Sequence, residues 1–175
     1  HTFAVQVAGD EVEHSFQVMN VSLAITDNLK NGAIINRDMV VAAALLHDIT
    51  KTRSLETRER HDLSGGMLLR ELGFVSVAAI VEQHVDFQNF CAQGKLEERE
   101  IVFYADKRVM HDRIVSAKER ETDLLQRYGI DEEKRKMILM LMSTVYAIEK
   151  KIAGFMKESI DNAVYGVPGA AKSGF

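Results

Sequence analysis

Apolar residues recur along this chain at intervals of three and four, the spacing of one face of an α-helix. Val18, Val21 and Ile25 show it clearly, and they predict a first helix that closes at Asn31-Gly32. No alternating run and no two-residue hairpin signal is as strong, so no strand is predicted. The expected fold class is all-α, a single-domain helical bundle of about six to seven helices.

Capping residues at the ends of the apolar runs place the other helices. The second is expected to run from the N-cap Asn36 to His47-Asp48, and residues 50–60 are expected to form a polar connection. The remaining helices are expected from His61 to Gly73, through Val77 to His84, from about Leu96 to Arg113, through Arg120 to Gly129, and from Glu132 to about Ser159.

Length and composition restrict the classes of function. The 175 residues suit one domain, expected at 1–164 with a flexible tail at 165–175. A net charge of -4 argues against general nucleic-acid binding, and no apolar run has the length of a membrane span. The single cysteine, Cys91, cannot pair within the chain, so we expect a cytoplasmic protein. A homodimer is compatible with the sequence.

Six polar residues interrupt the apolar pattern where side chains are expected to face inward. A buried polar group without a partner is costly, so each of them needs one. A core histidine hydrogen-bonded to a carboxylate would explain one such position. It does not explain six on five predicted helices, because buried polar groups must satisfy one another or a bound ion. The six are His14, His47, Asp48, His61, His84 and Asp106.

A dinuclear metal centre accounts for all six residues. Mixed nitrogen and oxygen ligands favour two divalent ions of Fe, Mn, Co, Ni or Zn over Ca or Mg, and the lack of cysteine among the six residues argues against a structural zinc site. Of two further His-Asp dipeptides, His61-Asp62 contributes only its histidine, and His111-Asp112 contributes neither residue. His111 falls about 140° round the expected helix from Asp106 and is expected to be solvated. Asp62 is expected to be a charge in the first turn of its helix.

The order of the six residues, and the strings around them, resemble the HD superfamily of metal-dependent phosphohydrolases in its two-metal H…HD…H…H…D form. The resemblance covers a motif core at residues 12–113, and the stretch Lys118-Glu119-Arg120 weakly resembles bacterial HD domains that are sometimes joined to nucleotidyltransferases. The motifs are specific for the superfamily but not for a substrate. The matching strings are Glu13-His14-Ser15, Leu45-Leu46-His47-Asp48-Ile49-Thr50-Lys51, His61 with Gly65-Gly66, Ile80-Val81-Glu82-Gln83-His84 and Tyr104-Ala105-Asp106-Lys107.

The resemblance implies a bundle of the HD-domain type and roles for the six residues. A water shared by the two ions would lose a proton and attack phosphorus in a small phosphorylated substrate, expected to be a nucleotide. Asp48 would be a catalytic residue as the ligand that bridges the ions. One ion would be held by His14, His47, Asp48 and Asp106, and the other by Asp48, His61 and His84.

Two cations near the ligands are the expected substrate contacts. Lys51 follows the His-Asp pair closely and is the first candidate for phosphate binding and for a catalytic role in stabilising developing charge. Arg113 is the second candidate, because it lies two turns after Asp106 on the expected helix. Lys107 and Arg108 point elsewhere on that helix, so we expect them to be solvated.

Two other functions stay open at this point. Some HD-fold proteins with the same ligand order are mixed-valence di-iron oxygenases that cleave C–C or C–P bonds, and iron dependence with oxygen uptake would identify that chemistry. The chain could instead be a regulatory module that binds a nucleotide without turning it over. A complete ligand set weighs against the module, because binding alone does not require six inward ligands.

Overall fold

The computed structural model describes residues 2–167, with side chains from residue 11 onward. The described chain is mostly helical, which confirms the all-α prediction. The expected tail lies largely outside these residues, and its described part, 165–167, completes the last helix and a short turn. The elements are α1 (Thr2–Asp27), α2 (Arg37–Leu46), α3 (Lys51–Thr57), α4 (His61–Glu71), α5 (Val75–Val81), α6 (Glu98–Lys107), β1 (Val109–Met110), β2 (Arg113–Ile114), α7 (Ala117–Tyr128), α8 (Glu132–Phe155) and α9 (Ile160–Tyr165).

The core lies where α1, α2, α6 and α8 pack together. The predicted stripe of α1 supplies its fully buried Val18, Val21 and Ile25. Burial of this apolar surface is the main favourable term in folding, and it holds the four helices in fixed positions. Each of the other three helices contributes fully buried residues to the same cluster: Val40, Ala43 and Ala44 from α2, Val102, Phe103 and Tyr104 from α6, and Val145, Ile148 and Ile152 from α8.

Local capping sets the ends of α2 as the sequence predicts. The Asn36 side chain accepts a hydrogen bond of 3.1 Å from the backbone N–H of Met39, which satisfies an otherwise unpaired donor in the first turn. The helix ends at Leu46, and His47 is its C-cap. The His-Asp pair therefore lies at the end of a core helix, where side chains can leave the helix axis.

A close approach between α4 and α5 brings two of the histidines together. Gly66 of α4 lies against Glu82, and a Cβ atom at that position would collide with the Glu82 side chain. His61 is the first residue of α4, and His84 follows the end of α5 in a turn. Glycine at position 66 thus leaves room for the Glu82 side chain at the end of α5.

Three predicted boundaries are wrong. The expected polar connection at 50–60 contains α3, and the expected last helix ends at Phe155 rather than near Ser159 and is followed by α9, which was not predicted. The expected helix through Arg113 ends at Lys107 and continues as a short hairpin in which β1 pairs with β2. The two-residue turn between the strands has His111 in the left-handed region, with φ of 59°.

The chain turns into the hairpin after α6 because the side chain of Arg108, the C-cap of that helix, is bound to groups outside it. Its guanidinium is buried and donates to Val115 O at 2.5 Å, to the Tyr104 hydroxyl at 2.7 Å and to Asp161 at 2.7 Å. Arg108 is therefore not the solvated cation that the sequence predicts. No helix between residues 2 and 167 is both long enough and apolar enough to cross a membrane.

Candidate metal centre

The six polar residues singled out in the sequence converge beside one cavity of about 420 Å³. They come from separate parts of the fold, so the cluster exists only when the core is packed. Five of the six are buried, and His61 is the exception, with 26% of its side chain exposed. The positions are His14 on α1, His47 and Asp48 after α2, His61 at the start of α4, His84 after α5 and Asp106 near the end of α6.

Asp48 lies at the centre of the cluster and belongs to two groups of potential ligands. In each group, one ligand atom per residue lies within 4.8 Å of the others. The first group is His14, His47 and Asp48, and the second is Asp48, His61 and His84. The carboxylate reaches both because its two oxygens face different histidines. Its Oδ2 lies 3.4 Å from His47 Nε2, and its Oδ1 lies 3.2 Å from His61 Nε2 and 3.4 Å from His84 Nε2.

Asp106 closes the first group from the side of α6. Its Oδ1 lies 3.1 Å from His14 Nε2 and 3.7 Å from His47 Nε2. Its other oxygen, Oδ2, contacts the ammonium of Lys107. A carboxylate oxygen thus faces the ligand nitrogens of both histidines in this group.

Three of the histidine rings are oriented by main-chain carbonyls. Nδ1 of His47 lies 2.8 Å from Ala44 O, and Nδ1 of His84 lies 2.7 Å from Val81 O. These carbonyls are available because the last C=O groups of a helix lack partners within it. Nδ1 of His14 lies 3.0 Å from His111 O. Since a carbonyl only accepts, each Nδ1 donates, and in the neutral ring Nε2 presents its lone pair to the cluster.

The cluster fits a bound cation. His47 Nε2 is fully buried, and no hydrogen-bond partner for it exists among the described residues. Its nearest polar neighbours include carboxylate oxygens of Asp48 and Asp106, which are also acceptors. Lone pairs that face one another in a buried site require a positive charge between them, supplied by protons or by metal ions. Histidine nitrogen and carboxylate oxygen are the donors that divalent transition metals bind.

The charge states of the cluster agree with this requirement. Burial opposes ionisation of Asp48, but His47 and the other nearby histidines hold the pKa of its carboxyl below the ordinary value. Burial likewise opposes ionisation of Asp106, whose pKa is held low by Lys107 and His14. Burial lowers the pKa of His84, which favours the neutral ring that a metal needs. Burial also acts on His47, but Asp48 outweighs it and raises the pKa of this imidazole.

Two lysines accompany the two carboxylates. Lys51 Nζ lies 2.5 Å from Asp48 Oδ2; burial opposes the charge on this ammonium, but the carboxylate outweighs it and raises the pKa of Lys51. Lys107 is buried, contacts Asp106, and donates to His84 O at 2.9 Å. The prediction that Lys107 is solvated is therefore wrong. Both lysines line the cavity.

Of the two remaining His-Asp dipeptides, His61-Asp62 contributes only its histidine to a ligand group, and His111-Asp112 contributes neither residue. Asp62 is in the first turn of α4 as predicted, but it is buried, and the Arg60 guanidinium holds it by two hydrogen bonds of 3.1 and 2.5 Å. The His111 side chain is exposed at the edge of the cavity. Its backbone carbonyl nevertheless contacts His14, and sequence spacing gave no signal for that contact.

Arg113 does not take the predicted place. The premise that it follows Asp106 on one helix is wrong, because it lies on β2, is exposed, and is not among the residues that line the cavity. Part of the cavity lining is instead formed by α7. Sequence reasoning missed this part of the lining, although the spacing of its residues at i, i+4, i+7 and i+8 is that of one helix face. They are Arg120, Leu124, Arg127 and Tyr128.

The helical bundle and its His/Asp cluster define an all-α protein with two groups of side chains that could hold a metal ion. A family model described as the HD domain matches residues 12–111, more than half of the chain, and the chain therefore belongs to the HD domain family. Members of this family are commonly metal-dependent phosphohydrolases. The chain matches none of the curated proteins and none of the solved structures with which it was compared.

Proposed function

We propose that this protein is a metal-dependent phosphohydrolase that cleaves a phosphoester or phosphoanhydride bond of a small molecule, a nucleotide in the first instance. The observation that carries the proposal is the buried, unpartnered Nε2 of His47, which faces two carboxylates in a cluster beside the cavity. Membership of the HD family supports the reaction class. A cavity of about 420 Å³ lies within the range of small-molecule sites.

The ligand sets follow from the two groups that share Asp48. His14 and His47, with Asp106 beside them, would hold one divalent ion, and His61 and His84 would hold the other. Ions bound there would supply an activated water as nucleophile and neutralise charge on the phosphoryl group. The chain orients the ligands through the Nδ1 hydrogen bonds of His14, His47 and His84 to main-chain carbonyls.

The lysines give the chain its own means of binding phosphate. Lys51 and Lys107 present ammonium groups to the cavity, next to Asp48 and Asp106. A phosphate oxygen that enters can accept from these donors, since each ammonium carries three N–H groups. Lys51 is the more adaptable of the two because 38% of its side chain is exposed. We expect Lys51 to stabilise charge that develops on the phosphoryl group during hydrolysis.

The test is turnover by protein reconstituted separately with Mn, Fe, Co, Ni and Zn. Nucleoside monophosphates, diphosphates and cyclic dinucleotides would be supplied, with phosphate release and nucleotide products measured. We expect hydrolysis of at least one member, dependent on metal and lost in Asp48→Ala. Oxygen uptake is recorded in parallel with the iron-loaded protein. Absence of hydrolysis with every metal would refute the proposal, and oxygen consumption coupled to substrate loss would replace it with the di-iron oxygenase.

A further inference from the structure

The cavity is also lined by a cationic region on α7, a helix that contains none of the six residues of the His/Asp cluster. Arg120, Leu124, Arg127 and Tyr128 line the cavity from one face of this helix, and we call this set the α7 wall. Arg120 and Tyr128 are eight residues apart, so the wall extends roughly 12 Å at the helical rise. The HD-family match ends at residue 111 and does not include it. The α7 wall is therefore a feature of this chain beyond the shared family region.

Arg120 carries an unmet donor. Its Nη1 lies 3.2 Å from Asp123 Oδ2, which satisfies one edge of the guanidinium. Its Nε is buried, and no acceptor for the Nε–H group exists among residues 11–167. Only 18% of the side chain is exposed. A buried charged donor without an acceptor is unfavourable, and a cavity-lining guanidinium in this state is suited to receive an anionic ligand.

The charges on the α7 wall do not cancel. Arg127 also approaches Asp123, with 3.6 Å between Nη1 and Oδ2, so two guanidiniums share one carboxylate. At the cluster, by contrast, Lys51 pairs with Asp48 and Lys107 with Asp106. The α7 wall thus has a positive charge in excess, on a helix that carries none of the six clustered residues.

The position of Arg120 is fixed by the start of α7. Ser116 and Glu119 form a reciprocal capping box, with 3.1 Å from Glu119 N to Ser116 Oγ and 2.7 Å from Ser116 N to Glu119 Oε2. Arg120 follows directly, and its N–H donates to Ser116 O at 3.0 Å. A side chain on a capped helix that packs on α8 is better suited to specific binding than one on a loop.

We propose that the α7 wall is a specificity subsite, and that Arg120 and Arg127 bind a second phosphoryl group of the substrate, one that is not cleaved. Leu124 and Tyr128 present apolar surface beside the two arginines, where the organic part of the substrate would lie. The preferred substrates are then small phosphoesters with two separate phosphoryl groups. The distinction between a cleaved and an uncleaved phosphoryl group rests on the proposed hydrolysis. The binding test of the subsite does not depend on it.

The experiment compares two probes on one nucleoside, adenosine 5′-monophosphate and adenosine 3′,5′-bisphosphate, so that contributions of base and sugar cancel. Dissociation constants are measured by calorimetry on the Mn-loaded protein. Wild type should bind the bisphosphate more tightly. Arg120→Ala should reduce that preference by about 10- to 100-fold, the value of a hydrogen bond to a charged group, and weaken the monophosphate much less. Arg120→Lys should retain part of the preference, because it keeps the charge but loses the planar fork.

Arg37→Ala is the matched control. Arg37 is a half-exposed arginine that also pairs with a carboxylate, Asp27, at 2.9 and 3.1 Å, and it does not line the cavity. It should keep the wild-type preference. Wild type that binds both probes equally, or an Arg120→Ala loss equal for both, would overturn the subsite. A preference for the bisphosphate without any hydrolysis would support the subsite and refute the proposed hydrolysis. Hydrolysis without a preference for the bisphosphate would support the hydrolysis and refute the subsite.

Discussion

Replacement of Asp48 by asparagine should remove both proposed metal ions at once. Asparagine keeps the shape of the side chain but not its charge, and Asp48 is the residue shared by the two ligand groups. The second group would keep only His61 and His84. Lys51 would lose its partner, but 38% of its side chain is exposed, so the ammonium can be solvated and the fold should be retained.

The size of the effect follows from ligand chemistry. Loss of a group that only orients a ligand lowers metal affinity by about 10- to 100-fold, so loss of the ligand itself should cost at least about 100-fold at each site. At a free metal concentration about ten times the wild-type dissociation constant, each wild-type site would be about 0.9 occupied and each variant site about 0.1. The total metal content should therefore fall from about 1.8 ions per chain in wild type to about 0.2 in Asp48→Asn.

The assay is equilibrium dialysis against Mn followed by elemental analysis, with circular dichroism to verify the fold. His61→Ala is the comparison, because His61 belongs to one group only and should lower the content by about one ion. Asp48→Asn protein that keeps a full ion, or His61→Ala protein that loses as much as Asp48→Asn, would refute a centre with two ions bridged by Asp48.

Three further outcomes are expected. Lys51→Ala should leave metal content intact and lower kcat by about 10²- to 10³-fold, and an effect on KM alone, in the same kinetic series, would indicate uniform binding instead. His111→Ala should keep its metal in elemental analysis, because His14 contacts the main-chain carbonyl; metal loss would show that the turn needs histidine. Burial opposes ionisation of Asp62, but Arg60 lowers the pKa of this carboxyl from its ordinary 3.8. The pairing of ionised Asp62 with Arg60 therefore stabilises the fold above pH 3.8, and this stabilisation is lost as the pH falls through the lowered pKa. Thermal unfolding should show Asp62→Asn less stable than wild type at neutral pH and equal to it in acid.

Local signals in the sequence predicted most of the helices. Asn36 and Asp131 accept hydrogen bonds from the first turns of α2 and α8, as their N-cap chemistry indicates. The six inward polar residues were also found from sequence, because each lies on or at the end of an apolar stripe of a predicted helix. Such signals are local, and they need no knowledge of how the helices pack.

The features that the sequence did not predict depend on distant contacts. α6 stops where Arg108 reaches Val115 and Asp161, and the second of these is 53 residues away. Lys107 is buried because its ammonium meets the His84 carbonyl, 23 residues earlier. The periodicity of α7 predicted a helix, but periodicity cannot say which face of it meets the cavity. Arg113 was chosen from helical phase alone, and a bend in the backbone was enough to move it away.

Without a metal, the two carboxylates of the cluster are balanced by the two lysines that contact them. Before any metal enters, Lys51 and Lys107 balance the charges of Asp48 and Asp106, and the apolar core between α1, α6 and α8 does not depend on them. An entering ion must compete with an ammonium already in contact with each carboxylate. Mg²⁺ gives up its bound water reluctantly, so we expect it to compete poorly with the ammonium groups. Ions with a high affinity for imidazole should compete better. In the proposed metal centre the two ammoniums would thus set a minimum affinity that an entering ion must exceed, and chelation should yield a folded protein that can be reloaded with metal.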